Sequence, residues 1–213
     1  TELAKKSKVI VIKVGSNILV NEKHVLRKKW LTSLIEDVQK LQKKGSKIII
    51  VSSGAIALGR NILSKKKLTN LHEKQAAASI GQIQLSQQWQ KAFAKFNIQS
   101  SQILITAEDL NERRKYLNIR NTIYSLMDLN VVPIINENDT TSTEEIRFGD
   151  NDKLSAMIAN ALSAELLILL SDVNGLYTAN PKKSTDAKLI TSVEEVSQEI
   201  EKYIDKDLSE FGS

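Results

Sequence analysis

Five short runs of continuous apolar residues constrain the fold of this chain more than any other feature. "KVIVIKV" (8–14), "KIIIVSS" (47–53), "QILIT" (102–106), "VVPIIN" (131–136) and "ELLILLS" (165–171) are rich in Ile, Val and Leu. A strand with one face in water alternates apolar with polar residues, and a strand covered on both faces does not. Each run is therefore predicted to be a strand buried on both sides. Between them lie amphipathic stretches at about 27–44, 54–63, 71–96, 111–129 and 151–163, each predicted helical. Strand, helix, strand in repetition predicts an α/β fold, a three-layer αβα sandwich with a mainly parallel central sheet. "TSTEEIRF" (141–148) breaks the rhythm and is expected to form a hairpin or excursion beside the sheet. The first residues, "TELAKKS", are expected to be a polar tail, and 192–211 carries an acidic helical pattern.

Composition removes several function classes. There is no cysteine, which excludes disulfides and thiolate zinc sites. His24 and His72 are far apart in sequence, so a histidine-rich metal site is not expected. No apolar run approaches the length of a membrane span, and no signal-peptide cleavage pattern follows the first apolar run. A cytoplasmic protein is the expectation. The net charge of +5 and a pI of about 9.2 suit an anionic partner, either nucleic acid or a phosphorylated small molecule. The lysines are scattered and no aromatics lie among them, so a solvated surface explains the charge and no nucleic-acid partner is expected.

The ends of the predicted strands carry the functional signal. They finish in Gly15-Ser16-Asn17, Ser52-Ser53-Gly54-Ala55, Asn136-Glu137-Asn138-Asp139 and Ser171-Asp172-Val173-Asn174-Gly175. Each alone reads as ordinary turn chemistry. In a parallel sheet, however, these ends lie along one edge, where ligands bind. Lys13, inside an apolar strand, must reach water or meet a negative partner. Together with Gly15 it offers a phosphate a point charge and a close backbone approach. Ser52 or Ser53 could cap the following helix, or the helix start could hold an anion.

No Walker-type phosphate loop, dinucleotide fingerprint or nucleophile elbow is present. A basic first turn facing carboxylates and amides suits phosphoryl transfer, which depends on positioning and charge neutralisation. In "RFGDNDKLSAM", Leu154, Met157, Ile158, Ala161 and Leu162 form one helical stripe, with Asp150 or Asn151 at the cap position.

"IKVGSN", "VSSGAIALGR", "EDLNERRKYLNIRNT", "PIINENDTTSTEEIRFGDNDKLSA" and "LLSDVNGLYTANP" resemble, in order and spacing, the motifs of the amino acid kinase superfamily, and within it the glutamate 5-kinase branch. The resemblance covers about residues 8–181, and "NEND…FGDND" is its most specific part. It implies ATP-dependent phosphorylation of the γ-carboxylate of L-glutamate, the first step of proline synthesis, with Mg2+ accompanying the nucleotide. It also implies that Lys13 contacts the transferring phosphate beside Gly15, and that Asp152 organises the catalytic lysines. Ser53, Asp139 and Asn151 would bind glutamate, with Asn136 and Asp150 lining the same pocket. Ser171 and Asp172 would belong to the ATP site. A homo-oligomer, dimer or tetramer, and feedback inhibition by proline are further implications. The family has a second phosphate-contacting lysine just beyond the point where this sequence stops. The chain is thus expected to be a single domain over 1–213 lacking its C-terminal part, without the RNA-binding-like PUA domain of many bacterial members. The alternative reading is a catalytically inactive module of the same fold that senses glutamate or proline.

Overall fold

The computed structural model describes residues 2–64, 67–142, 150–198 and 200, and of residue 150 only the backbone. The chain divides into two compact units, Thr1–Leu170 and Ser171–Ser213.

The first unit is built on five strands: β1 (Val9–Val14), β2 (Lys47–Ser52), β3 (Ser100–Ile105), β4 (Val132–Glu137) and β5 (Leu166–Leu170). They form one sheet in the order β3-β4-β2-β1-β5, and every pairing is parallel. All five predicted runs are strands. β1, β2 and β4 are buried almost throughout, whereas β3 and β5 are partly exposed because they form the two edges.

Side-chain alternation divides the core into two layers. Ile10, Ile12, Val14, Ile48, Ile50, Val132 and Ile134 face one side. There they meet α3 (Lys28–Gln42), α4 (Ala55–Ile62) and α5 (Leu71–Ala94) through Leu31, Ile35, Leu58, Leu85, Trp89 and Phe93. Val11, Ile49, Val51 and Ile135 face the other side. They pack against α6 (Ala107–Asn111), α7 (Arg113–Asp128) and α8 (Asp150–Ala161) through Leu110, Ile123, Met127, Leu154 and Ile158. The helices thus cover both faces of a parallel sheet, as the strand pattern requires. Among the described residues no helix is long and apolar enough to cross a membrane.

Several local expectations are corrected. "ELAKK" is not a polar tail but a short helix, α1 (Glu2–Lys6), whose Ala4 is buried and whose Leu3 carbonyl accepts from the Ser7 hydroxyl at 2.9 Å. A further short helix, α2 (Ser16–Leu19), follows β1 directly. The stretch predicted helical over 111–129 is α7 (Arg113–Asp128), but a separate short helix that was not expected, α6, precedes it across Glu112. α6 is started by its own signal. Thr106 accepts from Asp109 N–H at 3.2 Å while the Asp109 carboxylate accepts from Thr106 N–H at 2.8 Å, a capping box. The expected hairpin at 141–148 and the acidic pattern at 192–211 lie largely outside the described residues.

The Thr106 N–H, more than any other group, holds the Asp109 carboxyl below its ordinary range, with Lys115 assisting against the cost of burial. Its contribution to stability is therefore present above the unfolded value, about 4, and is lost as pH falls from there through the folded value. Asp109→Asn is expected to be less stable than the parent by about 1 kcal/mol at pH 7, a gap that closes below about pH 4. Urea titrations of both proteins at pH 7 and pH 3 measure it, and a gap that widens on acidification refutes it.

α4 and α5 cross with almost nothing between them. A Cβ built on Gly59 would lie 1.8 Å from the Ala77 carbonyl oxygen, and one on Gly81 would lie 1.8 Å from that of Ala55. Glycine is required at both places because backbone touches backbone.

The second unit holds a two-stranded antiparallel sheet, β6 (Leu176–Tyr177) with β7 (Leu189–Ile190), closed by Thr178 N–H to the Lys188 carbonyl at 3.0 Å.

Candidate functional site

The carboxyl ends of β4, β2, β1 and β5 are consecutive in the sheet, so the polar strand ends picked out in the sequence share one edge of the first unit as far as Leu170. Alternation then decides which face each residue addresses. Lys13 shares the parity of Val11 and points to the α8 layer. Its ammonium lies 2.7 Å from the Asp152 carboxylate. Lys13 is only 8% exposed, so the reading of a lysine that merely reaches water is set aside. The Asp152 side chain is 44% exposed and leaves the ion pair open on one side. A lysine committed to a carboxylate on a neighbouring helix has a fixed position next to the strand ends.

Ser52 and Asn136 have the opposite parity and point to the α5 layer. Ser52 is fully buried, and its hydroxyl accepts from the Trp89 indole N–H at 2.9 Å. Trp89 in turn stacks on Phe93 with centroids 5.9 Å apart. Asn136, 2% exposed, donates from Nδ2 to Gln82 Oε1 at 2.7 Å and accepts the Glu137 N–H at 2.9 Å. Lys13 and Asn136 therefore belong to opposite sides of the sheet.

The turns at the edge are tightly bonded. Gly15 N–H continues the ladder to the Leu170 carbonyl at 3.0 Å, and Ser53 N–H donates to the Val14 carbonyl at 3.1 Å. Gly15, at φ −68°, is ordinary extended backbone and offers room rather than that N–H. The serine-cap expectation is corrected at α4. Gly54, in the left-handed region at φ 105°, occupies the cap position, and no side chain caps the helix. The cap residue thus offers the first-turn N–H groups of α4 no side-chain acceptor, and a helix start of this kind suits an anion. Half-buried Asp139 follows β4, in a segment anchored by Asn138 N–H to the Ile105 carbonyl at 2.9 Å.

Asp150 is the first residue of α8, and its side chain lies outside the described atoms. Asn151 is the second residue rather than the cap; its Oδ1 is buried without a donor among the described residues. The stripe predicted for this helix is present, with Leu154, Ile158, Ala161 and Leu162 buried and Met157 packed against them.

Ser171 and Asp172 belong to the second unit. Ser171 Oγ accepts from Val173 N–H at 3.3 Å, and Asp172 is ion-paired with Lys182. Among the described residues no three His, Asp or Glu side chains gather as a metal ligand set. The sequence reading missed Gln82 and Trp89, which hold the strand ends from α5. Their spacing of seven residues, shared with Gln75, was the available signal.

Residues 8–213 match the amino acid kinase family. The chain is 49% identical over 210 residues to the glutamate 5-kinase of Pelagibacter ubique, covering 98% of this chain and 57% of that protein. It is 51% identical over 193 residues to that of Brucella abortus, covering 90% and 51%. The chain thus spans about half the length of these relatives. Among solved structures, an isopentenyl phosphate kinase in a substrate complex superposes with a TM-score of 0.66 at 15% identity, over 95% of this chain and 85% of that one. A UMP kinase from Bacillus anthracis gives 0.59 at 17%, over 86% and 72%. At such identities these two speak for the fold alone.

Proposed function

Because the chain belongs to the amino acid kinase family, we propose that it phosphorylates the γ-carboxylate of L-glutamate with ATP, the opening step of proline synthesis, in the cytoplasm. The observation that carries this reading is the buried Lys13 held 2.7 Å from Asp152 at the strand ends. The identity to glutamate 5-kinases over nearly the whole chain supports the choice of substrate.

A γ-carboxylate oxygen attacks the γ-phosphorus, the bond from phosphorus to the bridging oxygen breaks, and ADP leaves with that electron pair. Glutamate is already ionised at neutral pH, so no strong base is needed. The obstacle is repulsion between two anions, roughly 4 kcal/mol for unit charges about 4 Å apart at an effective dielectric of about 20. Lys13 offsets it at the transferring phosphate, beside the space over Gly15, and Asp152 keeps the ammonium in place. Asp139 takes the substrate ammonium, and the buried, unmatched Asn151 Oδ1 gains a donor from it. The uncapped start of α4, beside Ser53, suits a substrate carboxylate. Asp150 lines the pocket wall, and the buried Asn136 supports that wall from within. Ser171 and Asp172 serve the nucleotide. Mg2+ would arrive with ATP, held mainly by phosphate oxygens and water, since the Asp152 carboxylate is already committed to Lys13. Its charge would supply further neutralisation. L-Proline, compact and bearing the same α-groups, is expected to compete for the glutamate pocket.

The outer face of α5 supports assembly with a second copy as a dimer or tetramer. Residues 75–90 carry no charge, and Ile83 stands 66% exposed in their midst.

With ATP and Mg2+ the protein should release ADP only when L-glutamate is present, and hydroxylamine should trap the product as the γ-hydroxamate. Binding of glutamate without ADP release would instead identify an inactive sensor. Asp139→Ala is expected to raise the KM for glutamate about 10- to 100-fold, as for loss of a hydrogen bond to a charged group. An unaltered glutamate titration in that variant would show that the ammonium binds elsewhere.

A further inference from the structure

α5 does more at the strand ends than cover the sheet. Gln75, Gln82 and Trp89 recur every seven residues and share one helical face. Each bonds to a different part of the strand-end wall. Gln75 Nε2 donates to the Ser142 carbonyl at 3.2 Å, Gln82 Oε1 accepts from Asn136 Nδ2 at 2.7 Å, and Trp89 Nε1 donates to Ser52 Oγ at 2.9 Å. Gly81, next to Gln82, sits against the Ala55 carbonyl and Gly59 N of α4. The height of Gln82 above the sheet is therefore set by backbone contact rather than by adaptable side chains.

The Asn136 carboxamide has one end on Gln82 and the other on the Glu137 N–H. It cannot flip without breaking both bonds. At 2% exposure it offers a ligand almost no surface. What it fixes is the direction in which the chain leaves β4 and enters residues 137–139. Resting on the glutamate-kinase reading, we propose that Gln82 is a positioning residue: acting through Asn136, it sets the path of 137–139 and so places Asp139 against the substrate ammonium. The sequence motifs name the strand end; its aim comes from an uncharged glutamine on a helix outside every motif.

The test is Gln82→Met, which keeps length and helix propensity but removes the acceptor. The KM for glutamate should rise about three- to tenfold, the effect of one neutral hydrogen bond, with kcat and the KM for ATP within about twofold. In an Asn136→Ala background the same substitution should add nothing further. A Gln82→Met enzyme whose two KM values move together, or whose effect persists undiminished without Asn136, overturns the proposal. Glutamate binding by calorimetry separates the two levels of inference. If the parent protein does not bind glutamate, the functional reading fails. If the parent binds and Gln82→Met binds equally well, the positioning role fails. The Asn136 side-chain amide protons, followed by NMR, should be protected from exchange in the parent and exposed in Gln82→Met; equal protection also refutes the inference.

Discussion

Lys13→Ala is expected to lower kcat by about 10²- to 10³-fold, the usual effect of removing one preorganised group that stabilises developing charge, with glutamate binding nearly unchanged. The ion pair allows the loss to be read as chemistry rather than as unfolding. When Lys13 is removed, the carboxylate left behind belongs to Asp152, whose side chain is 44% exposed and remains solvated. The opposite substitution is not equivalent. Asp152→Asn leaves the ammonium, in a side chain only 10% exposed, without its counter-charge, and a stranded buried charge is the costly case. Asp152→Asn should therefore lose both rate and stability, whereas Lys13→Ala loses rate alone. The double variant should be little slower than Lys13→Ala, because the two groups act as a unit. Steady-state kinetics with urea titrations of the three variants decide the matter. A large rise in the glutamate KM at unchanged kcat in Lys13→Ala would reassign the lysine to ground-state binding.

The second large effect concerns folding. Gly81→Ala would ordinarily stabilise an interior helical position by about 1 kcal/mol. Here the new Cβ would fall 1.8 Å from the Ala55 carbonyl oxygen and 2.5 Å from Gly59 N, both backbone atoms that no rotamer change can move aside. The two helices must separate, at a cost of roughly 3 kcal/mol or more. The clash wins, and the urea midpoint should fall steeply with little change in slope. Gly45 supplies the control: it has φ +92° and nothing within 4 Å of a built Cβ, so alanine there meets only left-handed strain of about 1–2 kcal/mol. A Gly81→Ala protein as stable as the parent would mean that the crossing of α4 and α5 is looser than described.

The strands and their polar ends were legible because both signals are local. Runs such as "VIVIKV" and "KIIIVS" can be buried only as covered strands, and Gly, Ser, Asn and Asp mark where they stop. Strand order was not legible, since nothing within "QILIT" says that β4 will lie between it and β2. The pairing of Lys13 with Asp152 was legible only through the family resemblance. The roles of Gln82 and Trp89 were hidden because their partners, Asn136 and Ser52, lie 54 and 37 residues away. The serine cap failed because Gly54 takes the left-handed position that ends the strand turn, leaving no place for a serine side chain at the helix start. The short helix α6 was missed although "TAED" carries a readable capping box.

The place of β1 in the sheet also bears on how the chain is made. In the finished sheet β1 is enclosed, with β2 on one side and β5 on the other. During synthesis β2 follows soon after it, but β5 emerges only after every other strand of that sheet. Until β5 arrives one side of β1 is an open edge of Ile and Val, the kind of surface that recruits strands from other chains. Lys13 lies near the carboxyl end of that edge, paired in register with Leu169 once β5 arrives. Before then its charge is of the type that discourages edge-to-edge association. A lysine in that strand thus has a physical consequence apart from any substrate: it puts a charge on an edge that is otherwise apolar until β5 pairs with it.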